Sequence, residues 1–344
     1  MIAIHHRPGS YSERWIEYCE DNNISYKLVN CFDNTIFEQL EGCNGLMWHW
    51  HHNAGYRAYL FARQLTYALE AKGIKVFPDS KTAWHFDDKL GQKYLFEAMR
   101  LSIVPTYVFY DKEKAMKWVE TACFPKVFKT RNGSGSKNVS LVKSKKQAKT
   151  IIRKCFGKGI PNYSKQTHLK ESLWKFRRNK DLKSFGRILK YLLKLPLPLQ
   201  FQPDHVVEKN YAYFQDFVPN TNCDYRLKVI GNRCFGKKRY VRTNDFRASG
   251  SGMLDSNYEN IPRELVEYSF QAARMLKLQC IAFDYIYDKD QFYLLEMSYA
   301  YAYQGENISS FWDPDLNRIK GNFIPEYFMI QEFLNEIDQA ARGG

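Results

Sequence analysis

The chain has 344 residues, 44% hydrophobic and 16% aromatic, which excludes a disordered, collagen-like or low-complexity polymer and suffices for two or three small lobes. No run approaches the ~18 apolar residues of a membrane span, and the opening Met1-Ile2-Ala3-Ile4 meets His5, His6 and Arg7 too soon for a signal peptide, so the sequence predicts a soluble, cytoplasmic chain. The net charge of +14 is local: 143–194 holds 17 Lys and Arg against two acids, Glu171 and Asp181, and the rest is close to neutral. A basic segment on a neutral body points to an anionic surface or substrate, and without an RNA or DNA module beside it nucleic acid is not expected.

In chain order, residues 1–5, 26–29, 45–50 and 74–77 read as strands, with helices over 13–22 and 57–72. The second helix places Leu60, Phe61, Leu65, Ala68 and Leu69 at helical spacing and ends at Gly73. This is a small βαβ lobe with a parallel sheet, whose ligands gather at the carboxyl ends of strands. His5 and His6 lie at one such end and His49, His51 and His52 at another. They fit polar loop starts, a substrate wall, or a metal if a third ligand joins them. A helix then runs from Asp87 to Arg100, capped by Asp87 or Asp88, before the turn at Ile103-Val104-Pro105-Thr106. Strands at 126–129 and 139–142 flank Gly133, Ser134, Gly135 and Ser136, a loop whose backbone N–H groups could cover phosphates but which lacks the Walker spacing. The eight cysteines contain no C-x-x-C pair and read as reduced thiols.

From Tyr213 the pattern becomes strand, turn, strand, with a hairpin at Gly231-Asn232, a polar loop over 242–252 and a helix over 264–277. Two more strands span 280–287 and 291–298. A three-residue connection would set Asp284 opposite Leu294 and put Glu296 on its diagonal, with Ser298 on the same face. Two carboxylates and a hydroxyl suit Mg²⁺ and phosphoryl transfer, although an acid on each arm of a surface hairpin is also ordinary.

The order of these pieces resembles the ATP-grasp superfamily, closest to its ribosomal-protein glutamate ligase branch. The matching residues are Asp88-Lys89, Lys129 with Gly133–Ser136, Gln215-Asp216-Phe217-Val218, Asp224-Tyr225-Arg226, Asn244–Ser249, and Asp284 with Glu296-Met297-Ser298. The resemblance implies an α/β chain of α+β lobes. A βαβ lobe at 1–85 precedes lobes at 86–210 and 211–338 that clamp ATP, and a basic insertion spans 143–205. It implies ATP and Mg²⁺, two ions with Mn²⁺ as a substitute, as cofactors. Lys89, Lys129 and the glycine loop would serve ATP, 215–218 the adenine and Asp224 the ribose. Asp284, Glu296 and Ser298 would hold the metal.

The activity implied by the resemblance is that of a carboxylate–amine ligase: a donor carboxylate takes the γ-phosphate of ATP, and an amine displaces phosphate from the acyl phosphate. Arg226, Arg247 and Ser249 would stabilise the charge that develops, and no general base is visible. Three departures stand out: Asp216 where the family has Glu, Ser298 where it has Asn, and a longer, more basic 143–205. Within that insertion Phe185, Ile188, Leu189, Leu192 and Leu193 share one helical face and Lys183, Arg187, Lys190 and Lys194 the other. Such a helix fits a lid packed on its own protein, an anionic membrane or lipid-linked acceptor, or a polyanionic soluble one. Small-molecule, glycan or peptide substrates are the expected partners, an amino acid joined to a cell-surface carbohydrate intermediate or a peptide among them. The alternatives are a peptide macrocyclase and a non-catalytic ATP-binding protein.

Overall fold

The computed structural model describes residues 1–51, 56–132, 138–161, 173, 207–219, 221–241, 248, 251–301 and 307–343. Ile2, Ala3 and Ile4, like Leu46, Met47 and Trp48, are buried in succession, the mark of strands covered on both faces. They form β1 (Ile2–His5) and β3 (Gly45–Trp48), which with β2 (Tyr26–Val29) and β4 (Lys75–Phe77) make a parallel sheet of order β2-β1-β3-β4. The helix Ser12–Asp21 buries Trp15 and Cys19. In the helix Tyr56–Ala71 the buried stripe is Ala58, Ala62, Thr66 and Leu69; of the five residues expected from the sequence Leu69 is buried and Leu65 packs partly on the core, while Leu60, Phe61 and Ala68 are exposed. Small side chains bring that helix close to the sheet, and the period runs through alanine and threonine rather than through the largest apolar residues.

The chain divides into two compact units, one of residues 1–104 with 218–344 and one of residues 105–217. These divisions differ from the lobe boundaries at 85/86 and 210/211 expected from sequence. The helix Lys89–Ala98 explains the first difference. Asp88 caps it by accepting from the Gly91 N–H at 3.0 Å, and the buried Gln92 side chain donates to the Met297 carbonyl at 2.8 Å and accepts the Met297 N–H at 3.1 Å.

The second unit contains β5 (Thr106–Phe109), β6 (Lys126–Lys129), β7 (Ser140–Val142), the short pair β8 (Ile160–Pro161) and β9 (Val207–Glu208), and β10 (Ala212–Asp216). Its antiparallel sheet has the order β5-β10-β6-β7. The helices Lys112–Thr121 and Lys145–Cys155, capped by Asp111 and Ser144, pack Ala115, Val119, Ala148 and Ile152 against Phe128 and Phe214.

The C-terminal part of the first unit builds a seven-stranded sheet from β11 (Cys223–Ile230), β12 (Arg233–Tyr240), β13 (Leu254–Asp255), β14 (Cys280–Asp288), β15 (Gln291–Ser298), β16 (Ile308–Trp312) and β17 (Arg318–Phe323). Its order is β15-β14-β11-β12-β16-β17, with β13 beside β12. Leu227 and Val229 of β11, Leu265 and Phe270 of the helix Arg263–Leu276, and Phe283 of β14 belong to the core. Alternation along β11 therefore sends Asp224, Arg226 and Lys228 to the opposite face. Gly236 of β12 lies against Leu227, and a Cβ there would stand 2.5 Å from the Arg226 carbonyl oxygen, so the close approach of these strands needs glycine.

Candidate active site

Strand register assembles the site in the first unit. Arg226 of β11 pairs with Asp284 of β14 on one side and with Lys237 of β12 on the other, and Asp284 pairs directly with Glu296 of β15. Glu296, Asp284, Arg226 and Lys237 thus form a transverse row, with neighbouring Cβ atoms roughly 4.5–5.5 Å apart. The expected diagonal between Asp284 and Glu296 is corrected here. Asp288 pairs with Gln291, leaving a two-residue turn, and a register shift between Asp284 and Tyr285 restores Glu296 to the position opposite Asp284.

Asp284 is buried and is a hub. Arg226 donates through Nε at 2.7 Å and Nη2 at 2.6 Å, and Arg239 Nη2 lies 2.9 Å from Oδ2. The Arg239 guanidinium also donates to both oxygens of Asp224, at 2.5 and 2.8 Å. Burial works to raise the Asp284 carboxyl, but the two guanidinium groups outweigh it and hold the group below the usual carboxylate range. Asp224, with one such partner, is pushed up to about 6, by burial first and against the opposing pull of Arg239. Since Arg239 takes both oxygens of Asp224, the ribose hydroxyl that the resemblance implies there would have to share them.

Glu296 is one-third exposed and lies 3.5 Å from the ammonium of buried Lys89. Burial works to lower the Lys89 ammonium, and Glu296 and then Asp87 more than reverse it, so it stays charged. Ser298 Oγ donates to the Ala300 carbonyl at 2.9 Å, leaving its lone pairs for other use. Among the described residues no cluster of three or more His, Cys, Asp or Glu side chains has the arrangement to hold a metal ion. The oxygen set that remains is two carboxylates and a hydroxyl. A carboxylate has about four lone-pair positions, and Arg226 and Arg239 occupy three on Asp284, so one is open to a metal and Glu296 supplies the freer group.

In the second unit Lys129, on β6, donates to Gln215 Oε1 on β10 at 2.6 Å, and Gln215 Nε2 donates to Thr106 Oγ1 at 3.1 Å. Lys126 pairs with Asp216 and stands 4.8 Å from the Tyr107 ring centre. Phe217 and Val218 lie just beyond β10 and are half-buried. Gly133, Ser134, Gly135, Ser136, Arg247, Ser249 and the amphipathic stretch 183–194 lie outside the described residues, as does His52.

The described histidines of the N-terminal cluster have polar neighbours. Tyr11 stacks on His49 at 3.6 Å and donates its N–H to His49 Nδ1 at 3.1 Å, Arg7 Nη2 lies 2.7 Å from His51 Nε2, and the Cys31 N–H donates to His5 Nδ1 at 3.0 Å. Burial, then His51 and Arg7, keep His49 well below the usual imidazole range. Sequence reasoning missed Arg239, Lys126, Lys228 and Lys237. The hairpin at Gly231-Asn232 could have found Arg239, because a two-residue turn pairs Ile230 with Arg233 and so, counting outward, Asp224 with Arg239.

No family model matches the sequence, and no curated protein does. Solved structures do match. A D-alanine–D-alanine ligase from Bacillus anthracis aligns with a TM-score of 0.56 at 9% identity, over 99% of this chain and 98% of that one. A RimK-domain ATP-grasp protein from Sphaerobacter thermophilus aligns with a TM-score of 0.50 at 12% identity, over 86% and 89%. The ATP-grasp ligase PsnB, solved with a precursor peptide and AMPPNP, gives 0.50 at 11% identity, over 88% and 90%. At such identities the likeness is one of fold, and the fold is that of the ATP-grasp proteins. No helix of the described residues is long and apolar enough to cross a membrane.

Proposed function

We propose that this ATP-grasp chain is an ATP- and Mg²⁺-dependent ligase that joins a carboxylate to an amine and releases ADP and phosphate. The observation that carries the reading is the row Glu296, Asp284, Arg226 on one sheet face, hard oxygen donors beside a guanidinium, which is what phosphoryl transfer through a divalent ion requires. Glu296, the open position on Asp284 and Ser298 Oγ would hold the ion. Bound there, it supplies charge neutralisation at the phosphate oxygens.

The chain's own groups do the rest in this reading. Lys89 fixes Glu296, and Arg239 keeps Asp284 ionised while Asp224 orients Arg239. Arg226, next to Asp284 in the row, meets the charge that grows on the transferred phosphoryl and then on the acyl phosphate. Lys129 serves a phosphate and 215–218 the adenine, with Gly133–Ser136, Arg247 and Ser249 assigned to the phosphate cover and the acyl oxygens from the sequence resemblance. The acceptor is a small amine, a peptide or a carbohydrate intermediate, and the basic stretch 143–205 directs the chain to an anionic one.

The test is to incubate the protein with ATP, Mg²⁺ and pairs of amino acids and carboxylates, peptides included, reading ADP release and an amide product by mass. ADP release that depends on both substrates supports the reading. ATP binding without turnover for any pair would favour a nucleotide-binding protein, and no ATP binding would sink the proposal. Vesicles of anionic lipid, mixed with the chain before and after substitution of Lys183, Arg187, Lys190 and Lys194, separate a membrane role from a soluble acceptor as salt rises.

A further inference from the structure

A cavity of about 190 Å³ lies on the β12 side of Arg226, away from Asp284, and far exceeds the ~10–15 Å³ that one water needs. Its strand wall carries Lys228 and Lys237, and its helix wall carries Glu326 at the start of Pro325–Gly343. Tyr258, Tyr301 and Phe235 supply aromatic surface between them.

The charges in this cavity are unbalanced. Arg226 is already matched by Asp284. Among the described residues no carboxylate comes within ion-pair distance of Lys228 or Lys237, and no cation within that distance of Glu326. Lys228 Nζ instead sits 4.0 Å from the Tyr301 ring centre and 5.6 Å from that of Phe235. Glu326 is only 6% exposed. Glu326 is buried and Lys228 and Lys237 are half-buried, and charges withdrawn from water cost stability when left without counter-charges, so their presence on facing walls of one cavity calls for a ligand that supplies them. Burial, then Arg226 and Lys237, push the Lys228 ammonium down to about 7, and burial pushes the Glu326 carboxyl up, with its own backbone N–H and then Lys228 opposing.

We propose that this cavity binds an α-amino acid in zwitterionic form, its carboxylate on Lys228 and Lys237 and its ammonium on Glu326. The chemistry of the pocket stands by itself, and only the fate of the bound molecule, as a substrate beside Arg226, rests on the ligase reading. The aromatic walls accept an aliphatic or aromatic side chain.

The experiment is calorimetric titration of the full chain, without nucleotide, with alanine, β-alanine, acetate, ethylamine and inorganic phosphate, ADP affinity being measured separately on each protein. The expected order is alanine bound more tightly than acetate by at least about tenfold, the worth of one charge-assisted contact, with ethylamine not bound. Lys237→Gln, at a half-buried position, and Lys228→Gln should each weaken alanine and acetate alike. Glu326→Gln should bring alanine down to the level of acetate and leave acetate unchanged. ADP affinity should stay within about twofold in all three variants. Equal binding of phosphate, acetate and alanine would replace the proposal by a simple anion site. No alanine binding, or alanine binding untouched by Lys237→Gln, would overturn it. Loss of ADP binding in the unsubstituted chain would instead count against the ligase reading and leave the pocket's result standing.

Discussion

The charged groups around Asp284 and those at Lys126 and Lys129 are held in different ways. Around Asp284 the ions are branched: one carboxylate is shared by Arg226 and Arg239, and Arg239 is shared by two carboxylates, all of them largely buried. On β6 and β10 Lys126 meets Asp216, Lys129 is linked through Gln215 to Thr106, and the Asp216 side chain is 35% exposed. Removing one member of a branched buried network strands the others, whereas water can replace a partner in the exposed pair.

The sharpest way to break the comparison is Arg239→Met. It leaves Asp224 and Asp284 close, buried and short of a partner, and should cost on the order of 3–5 kcal/mol in urea unfolding. A loss under about 1 kcal/mol would show that the network is solvated. Glu296→Gln should leave stability almost unchanged and lower turnover by roughly 10²–10³-fold, since it removes a charge from the phosphoryl-transfer row and little volume. Full ADP release in that folded variant would end the metal assignment.

Gly236→Ala comes next. The new Cβ meets backbone at 2.5 Å, so β12 must move from β11, at roughly 1–3 kcal/mol, with a visible loss of order at Arg226. Acid titration is a subtler probe. Asp284 has its folded pKa below the unfolded value of ~3.9, so its contribution is fully present above that value and is lost as pH falls through the folded one. Asp284→Asn should therefore flatten the decline in stability between about pH 4 and pH 2. Asp216→Asn should give the smallest effect, roughly 0–1 kcal/mol. A larger cost there would erase the distinction between the two sets of charges.

Much of this arrangement is legible in the chain's own residue order. The alternation in Asp224-Tyr225-Arg226 and the carboxylates of Asp284 and Glu296 place the principal groups on one face, because a strand's period of two is a local property. The pairing of Asp284 with Glu296 is not, because it depends on a shift at Asp284/Tyr285, and simple counting from a turn assumes an unbroken ladder. The buried stripe of Tyr56–Ala71 escapes notice for a related reason. Ala58, Ala62 and Thr66 are apolar enough to pack yet too small to stand out beside Phe61. Arg239 and Lys237 look like solvent-facing residues of a basic hairpin until the neighbouring strand supplies their acids or their cavity.

Gln92 has a consequence beyond positioning. β15 ends the hydrogen-bonded order of its sheet, which leaves one side of its backbone without a strand neighbour along most of its length. Gln92 takes the Met297 N–H and C=O on that side, the Ser102 carbonyl accepts the Leu294 N–H at 2.7 Å, and Ser102 Oγ donates to the Phe292 carbonyl at 2.8 Å. A margin stoppered by side chains and a loop offers no template for a second chain to add itself as a new strand. The same helix that sets Lys89 beside Glu296 therefore closes this edge to strand addition, and Gln92→Ala should raise the tendency to aggregate before it lowers the melting temperature.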